Sequence, residues 1–249
     1  MKNKGMMKEL SGILKIGQKL LRIIYPRRCP LCHDIIAKKD ERACVKCLKE
    51  LPLVHGVRCK RCSKPITTEA EYCFDCSSKK HFFEEGYSVL IYNNKMQKSM
   101  TYFKLYGRRE YGDFYAELLL HFARRIVKRW DVEVILPVPI HRRKRNVRGY
   151  NQTEIIGRVL SRGFSIPIRT DLVKRVKNTK AQKELNISER KKNVKGVFEV
   201  GAEVSKYRHV LIVDDIYTTG STVDEIAKEL KKKGVEKVFF LTVCIGHGF

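Results

Sequence analysis

Val210-Leu-Ile-Val-Asp-Asp-Ile-Tyr-Thr-Thr-Gly-Ser-Thr222 joins a four-residue apolar run to a pair of acids and a hydroxyl-rich turn with one glycine. A run such as Val210 to Val213 is the kind buried on both faces of a parallel sheet. Asp214 and Asp215 then fall where the strand leaves the sheet, on the side where open α/β sheets bind ligands. Their carboxylates accept hydrogen bonds, and vicinal sugar hydroxyls would satisfy them. Thr218, Thr219, Gly220, Ser221 and Thr222 follow, at the opening of a helix predicted over Thr222 to Lys233 and closed by Gly234. Backbone N–H groups and the helix dipole favour an anion there. The stretch therefore reads as a sugar-phosphate cradle, with hydroxyls at the acids and a 5′-phosphate at the loop. The chain has no Gly-x-x-x-x-Gly-Lys-Ser/Thr, so this is no Walker loop. The plainer alternative is an ordinary strand-to-helix turn with Ser221 or Thr222 as N-cap.

Outward from this stretch, strands alternate with helices. Lys237 to Ile245 reads as a strand, as does the β-branched run Val132 to Val138 that ends in Pro-Val-Pro. A helix is expected from about Asn151 to Ser161, a strand from Tyr87, and helix over 95–129 with a break around Gly107. Such alternation implies an α/β domain over 82–249 with a doubly wound parallel sheet. Residues 174–195 are polar, rich in Lys and Arg and without clean periodicity, and read as a long mobile loop of the kind that serves as a lid.

Upstream, the cysteines form four pairs: Cys29-x-x-Cys32, Cys44-x-x-Cys47, Cys59-x-x-Cys62 and Cys73-x-x-Cys76, separated by 11, 11 and 10 residues. Each Cys-x-x-Cys turn points two thiolates at one cation, and two turns complete the tetrahedral shell zinc prefers. All-sulfur shells leave no position for water, so two structural Zn²⁺ sites are expected over 29–78. The segment is too short and polar to bury a core of its own, so metal binding would supply most of its folding free energy. Disulfides, a redox pair and an iron–sulfur cluster are the alternatives. The near-equal spacing fits sequential, nested and cross-braced ligation, of which the sequential pairing is favoured. Cys244, alone in a predicted buried strand, reads as a packed core thiol.

The remaining bounds come from composition. With 249 residues, 32% of them charged and 43% apolar, the chain is long enough for one ordinary domain and a smaller appendage. A formal charge of +25 points to a polyanionic partner or to a lysine-rich solvated surface, and zinc thiolates would not cancel it. No stretch reaches the roughly 18 apolar residues of a membrane span, and no signal-like block opens the chain. A cytoplasmic location is therefore expected, where paired cysteines are metal ligands before disulfides. Within residues 1–28, Ile13, Leu14, Gly17, Leu20, Leu21 and Ile24 recur at helical spacing. They predict an amphipathic helix that docks on the chain's own domains or makes peripheral contact with a membrane surface.

The 210–222 stretch resembles the binding motif for phosphoribosyl pyrophosphate (PRPP) of type I phosphoribosyltransferases. Pro137-Val-Pro139, Arg148-Gly-Tyr-Asn-Gln152, Gln182, Leu185 and Arg190-Lys-Lys-Asn-Val-Lys-Gly-Val-Phe198 are similar to the ComF/GntX family, whose members join cysteine knuckles to this fold. The resemblance covers nearly the whole chain and implies a role in natural competence, the uptake and processing of transforming DNA. It implies PRPP and Mg²⁺ as ligands, with single-stranded DNA and other competence or DNA-processing proteins as partners. In type I enzymes the loop after the first core strand binds pyrophosphate, a place held here by His141 to Arg148. Arg142, Arg143 and Arg148 are thus the pyrophosphate candidates. Lys144, Arg145, Arg175, Lys177, Lys180, Lys183, Arg190, Lys191 and Lys192 are candidates for a nucleic-acid backbone, with solvated loop charge as the alternative. In a transferase, Asp214 and Asp215 would orient the ribose and the magnesium waters while a nitrogen nucleophile displaces pyrophosphate. No general base or acceptor hood is identifiable, so three readings stand. They are a competence protein with PRPP as ligand or regulator, a transferase of nucleotide metabolism, and a PRPP-sensing nucleic-acid-binding regulator. The basicity and the zinc ribbons favour the first.

Overall fold

A computed structural model describes residues 26–36, 38, 41–67, 69–177 and 194–246. The expected N-terminal helix lies outside the described residues, as do Lys180, Gln182, Lys183, Leu185, Arg190, Lys191 and Lys192. The chain divides into two compact units, Met1–Glu50 and Leu51–Phe249, so the cut falls between the second and third cysteine knuckles.

The first unit holds a ribbon completed by the short helix α1 (Val45–Lys49). In the second unit an equivalent ribbon ends in α2 (Phe74–Ser78). The two repeat each other. Cys29 N donates to Asp34 O at 2.8 Å and Cys59 N to Lys64 O at 2.7 Å, while His33 N and Ser63 N return to the first cysteine's carbonyl at 2.9 Å each. His33 and Ser63, the residues after each second cysteine, share a left-handed φ of 69°. Bridges Arg28↔Ile35 and Arg58↔Pro65 close both turns.

The second unit continues with β1 (Glu85–Ile91), α3 (Asn94–Leu105), α4 (Tyr111–Trp130), β2 (Val134–Pro137), α5 (Arg142–Arg148) and α6 (Gln152–Phe164). It is completed by β3 (Val173–Arg175), β4 (Phe198–Val200), β5 (His209–Tyr217), α7 (Ser221–Lys232) and β6 (Lys237–Ile245). Four strands form a parallel sheet in the order β1-β6-β5-β2. Val210, Ile212, Val238 and Phe240 share one face with Val223, Ile226 and Leu230 of α7 and with the second ribbon. On the other face Trp130 at the end of α4 stacks on Phe239 at 4.9 Å, and Gly157 of α6 lies against Ile135. Helices thus cover both faces, as the doubly wound pattern requires. Among the described residues no helix is long and apolar enough to cross a membrane.

Three local differences from expectation bear on the site. β5 does not leave the sheet at Asp214; it stays paired with β6 through Asp214↔Thr242 and Tyr217↔Ile245. It is β2 that ends, at Pro137↔Val213, because Pro137 and Pro139 cannot donate to a ladder. The acids therefore sit where β5 outruns its outer neighbour. Second, the expected basic loop 141–148 is a helix, capped by His141 and ended by Gly149 at φ 77°, because good helix formers fill the interval. Third, the expected 174–195 loop starts inside a strand: β3 pairs antiparallel with β4 from Val173↔Val200 to Arg175↔Phe198.

Gly86 of β1 lies under Phe240, where an added Cβ would stand 2.0 Å from the ring. Gly86→Ala is expected to destabilise the fold by about 1–3 kcal/mol in urea titration. An unchanged midpoint would show that β1 does not pack there.

Candidate functional site

The turn after β5 is set by one glycine. Gly220 has φ +76° and caps α7, and Asp224 N donates to its carbonyl at 2.8 Å. A Cβ there would lie 2.5 Å from Tyr217 Oη, so both the backbone angle and the close approach require glycine. Above the turn is a shallow, open hollow lined by Asp214, Tyr217, Thr218, Gly220, Ser221 and Thr222. Thr219 lies outside that lining and shares a hydrogen bond of 2.9 Å with the Ser221 hydroxyl. A polar hollow over a helix N-terminus suits a phosphate-sized anion.

The two acids play unequal parts. Asp214 lines the hollow, and its Oδ1 accepts from Asp215 N at 2.8 Å. It keeps some exposed surface, yet burial first, and the Asp215 carboxylate second, push its carboxyl up to about 7. Asp215 is buried and already paired: its Oδ2 receives Lys104 Nζ at 2.7 Å and Gln152 Nε2 at 2.9 Å. Gln152 Oε1 in turn accepts from Arg148 Nη1 at 2.5 Å. A chain of polar groups thus runs from Lys104 through Asp215 and Gln152 to Arg148.

The string Arg148 to Gln152 builds that chain residue by residue. Gly149 ends α5 in the left-handed region, and the Tyr150 ring lies 4.8 Å from the Arg109 guanidinium. Asn151 caps α6, with Nδ2 donating to Val138 O at 3.0 Å, so the helix starts at the end of β2. Gln152 then reaches Asp215.

The other predicted cations divide. Arg148 is half-buried near Asp215, whereas Arg142 and Arg143 are exposed on α5. Arg175, expected on a nucleic-acid face, lies close enough to Asp214 to offset a small part of the rise in its pKa, with its guanidinium over Phe198 at 5.4 Å. Burial holds Arg175's own pKa below the usual arginine range. Arg145 pairs with Glu154 at 3.4 Å, Lys144 is half-buried, and Lys177 is exposed. Lys104, in the last turn of α3, carried no signal in the sequence, because its partner Asp215 is remote in the chain.

The cysteines gather as Cys29, Cys32, Cys44 and Cys47 and as Cys59, Cys62, Cys73 and Cys76, with sulfurs in each group within 4.8 Å of one another. This is the sequential pairing. Cys32 and Cys44 Sγ are 3.7 Å apart and Cys62 and Cys73 Sγ 3.5 Å. A zinc ion about 2.3 Å from each sulfur sets neighbouring sulfurs about 3.8 Å apart, so both clusters fit Zn²⁺. In the second cluster, thiol–thiol hydrogen bonding drives Cys59 down and Cys62 up in pKa, a conflict that a dication held by four thiolates removes.

Comparison with known proteins agrees with this geometry. Residues 20–77 match the family model of the double zinc ribbon domain, and residues 154–247 that of the phosphoribosyl transferase domain. The chain is 32% identical to competence protein F of Haemophilus influenzae, over 85% of this chain and 93% of that one. It is 30% identical to the DNA utilization protein YhgH of Escherichia coli, over 89% of this chain and 98% of that one. With competence protein ComFC of Bacillus subtilis the identity is 26%, over 80% and 82%.

Asp214 also makes stability depend on pH. Its carboxyl rises from 3.8 to about 7 on folding, so between those values the folded chain binds more protons than the unfolded one. Stability from this group is full below about pH 4, falls as pH rises toward 7, and stays reduced above. Asp214→Asn should therefore raise the unfolding free energy at pH 8 by about 1–3 kcal/mol and change it little at pH 4. Equal denaturant midpoints for both proteins at pH 8 would contradict the burial of this carboxylate.

Proposed function

The chain belongs to the competence protein F family, and on that premise we propose that it is a DNA-processing protein of natural competence. It binds PRPP with Mg²⁺ at the Asp214 hollow and single-stranded DNA on its basic surface. One observation carries the reading: a carboxylate where β5 outruns β2 stands beside a glycine turn whose N–H groups open a helix. N–H groups of 219–222 hold the 5′-phosphate, and Asp214 takes a ribose hydroxyl. Asp215 anchors Lys104 and, through Gln152, Arg148, which places two cations beside the acids for the diphosphate. Mg²⁺ supplies the remaining charge neutralisation when bound. The names of the relatives, competence protein and DNA utilization protein, support the DNA role, and the charge of +25 supports contact with a polyanion. Other competence or DNA-processing proteins are the expected partners.

The Asp214 carboxyl favours a second reading, transfer of the phosphoribosyl group to a nitrogen acceptor. A group that titrates at about 7 is poised to move a proton at neutral pH. Pyrophosphate release from PRPP across a panel of nucleobases separates transfer from binding alone.

Calorimetric titration should show saturable, Mg²⁺-dependent PRPP binding that weakens at least about tenfold in Asp214→Ala, since charge-assisted hydrogen bonds contribute on this scale. The same variant should keep its single-stranded DNA affinity, which should fall steeply between about 50 and 200 mM salt. Absence of PRPP binding, or joint loss of both ligands in a folded variant, would contradict the reading.

A further inference from the structure

The second zinc ribbon and the phosphate turn share one core. Cys59, Cys62, Cys73 and Cys76 are buried in the same cluster as Phe83, Tyr217 and Val223. Tyr217 is the strut between them. Its ring stacks on Phe240 at 4.6 Å and meets Phe83 edge-on at 6.2 Å, while its hydroxyl lies directly beneath Gly220. The ribbon is itself pinned to the sheet edge. Gly86 N donates to Arg61 O at 2.7 Å, and Arg58 donates to Val54 O at 2.6 Å and Ser88 O at 2.7 Å.

A second tie runs from the segment that leaves the ribbon. His81, with a side chain 1% exposed, donates through Nδ1 to Asp224 Oδ2 at 2.6 Å. Phe82 N donates to the other oxygen, Oδ1, at 2.9 Å. Asp224 stands in the first turn of α7, and its own N–H closes the Gly220 turn. One carboxylate therefore accepts two bonds from the ribbon's trailing segment, while its backbone holds the phosphate turn. His81 Nε2 is buried without a hydrogen-bond partner among the described residues, so Nδ1 is the ring's polar anchor. A phosphate bound by backbone N–H groups needs those groups held in one geometry, because ordering them at each binding event costs free energy.

We propose that the second ribbon, when it holds its zinc, is a positioning element of the phosphate turn. It acts through the His81–Asp224 bond and the Phe83–Tyr217–Gly220 packing, so that metal loss at Cys59, Cys62, Cys73 and Cys76 loosens residues 218–224. The ligand half of this inference rests on the proposed PRPP site. The mechanical half does not, because the turn's order is measurable without ligand.

The test uses the full chain, hydrogen–deuterium exchange of the 218–224 amides, zinc content, and titration with ribose 5-phosphate as the probe. Cys62→Ser should lose one zinc per chain and speed exchange at 218–224 at least tenfold, whereas Cys32→Ser should lose one zinc and leave those amides unchanged. His81→Leu should keep both zincs, speed the same amides and weaken ribose 5-phosphate binding several-fold. His81→Asn retains a donor at the Nδ1 position and should restore most of both effects. Unaltered exchange at 218–224 in His81→Leu, or equal loosening by Cys32→Ser, would overturn the proposal, and the His81 pair decides it if Cys62→Ser does not fold. Slowed amides in a wild-type chain that binds no ribose 5-phosphate would sink the ligand reading and leave the mechanical one standing.

Discussion

The site depends on a backbone reversal that only glycine can make. β5 runs on past the end of β2, and the chain must then turn into α7 over the Tyr217 ring. With a Cβ at 220 the turn would meet Tyr217 Oη at 2.5 Å, and the φ of +76° would be strained for any other residue. Placing the turn there aims the first N–H groups of α7 at the hollow that Asp214 borders. The proposed phosphate recognition would ask little of side chains. It asks that backbone donors be fixed beforehand, and the packing beneath Gly220 supplies that.

Charge is distributed unevenly around this point. Asp215 is ion-paired within the protein with Lys104 and hydrogen-bonded by Gln152, which leaves Asp214 as the acid bordering the hollow. Burial first, and the adjacent Asp215 carboxylate second, push the Asp214 carboxyl up to about 7. The arrangement gives one acid a structural task. Arg175, beside Asp214, and Arg148, beside Gln152, keep positive charge close on either side. Much of the chain's basicity lies elsewhere, on surfaces such as the exposed face of α5.

Legibility in the sequence followed the range of the interaction. The parallel sheet was readable because Val210–Val213 and Lys237–Ile245 carry their burial in their own composition, and the cysteine pairs because metal chemistry imposes local spacing. Gly220 was readable as a turn for the same reason. What stayed hidden was long-range: Lys104 against Asp215, His81 against Asp224, and the edge-on contact of Phe83 with Tyr217 join residues far apart in the chain. The basic stretch 141–148 reads as loop from its charge, yet its helix formers and the caps His141 and Gly149 make it a helix. Arg175 reads from composition as a loop cation, and β3 carries it toward Asp214.

The most direct measurement is a crystal structure with PRPP and Mg²⁺ bound. The expected result is 5′-phosphate oxygens about 2.7–3.2 Å from backbone nitrogens between 219 and 222, with a ribose hydroxyl on Asp214. A phosphate seated instead on the arginines of α5, with the Gly220 turn making no contact to it, would contradict the account at its centre.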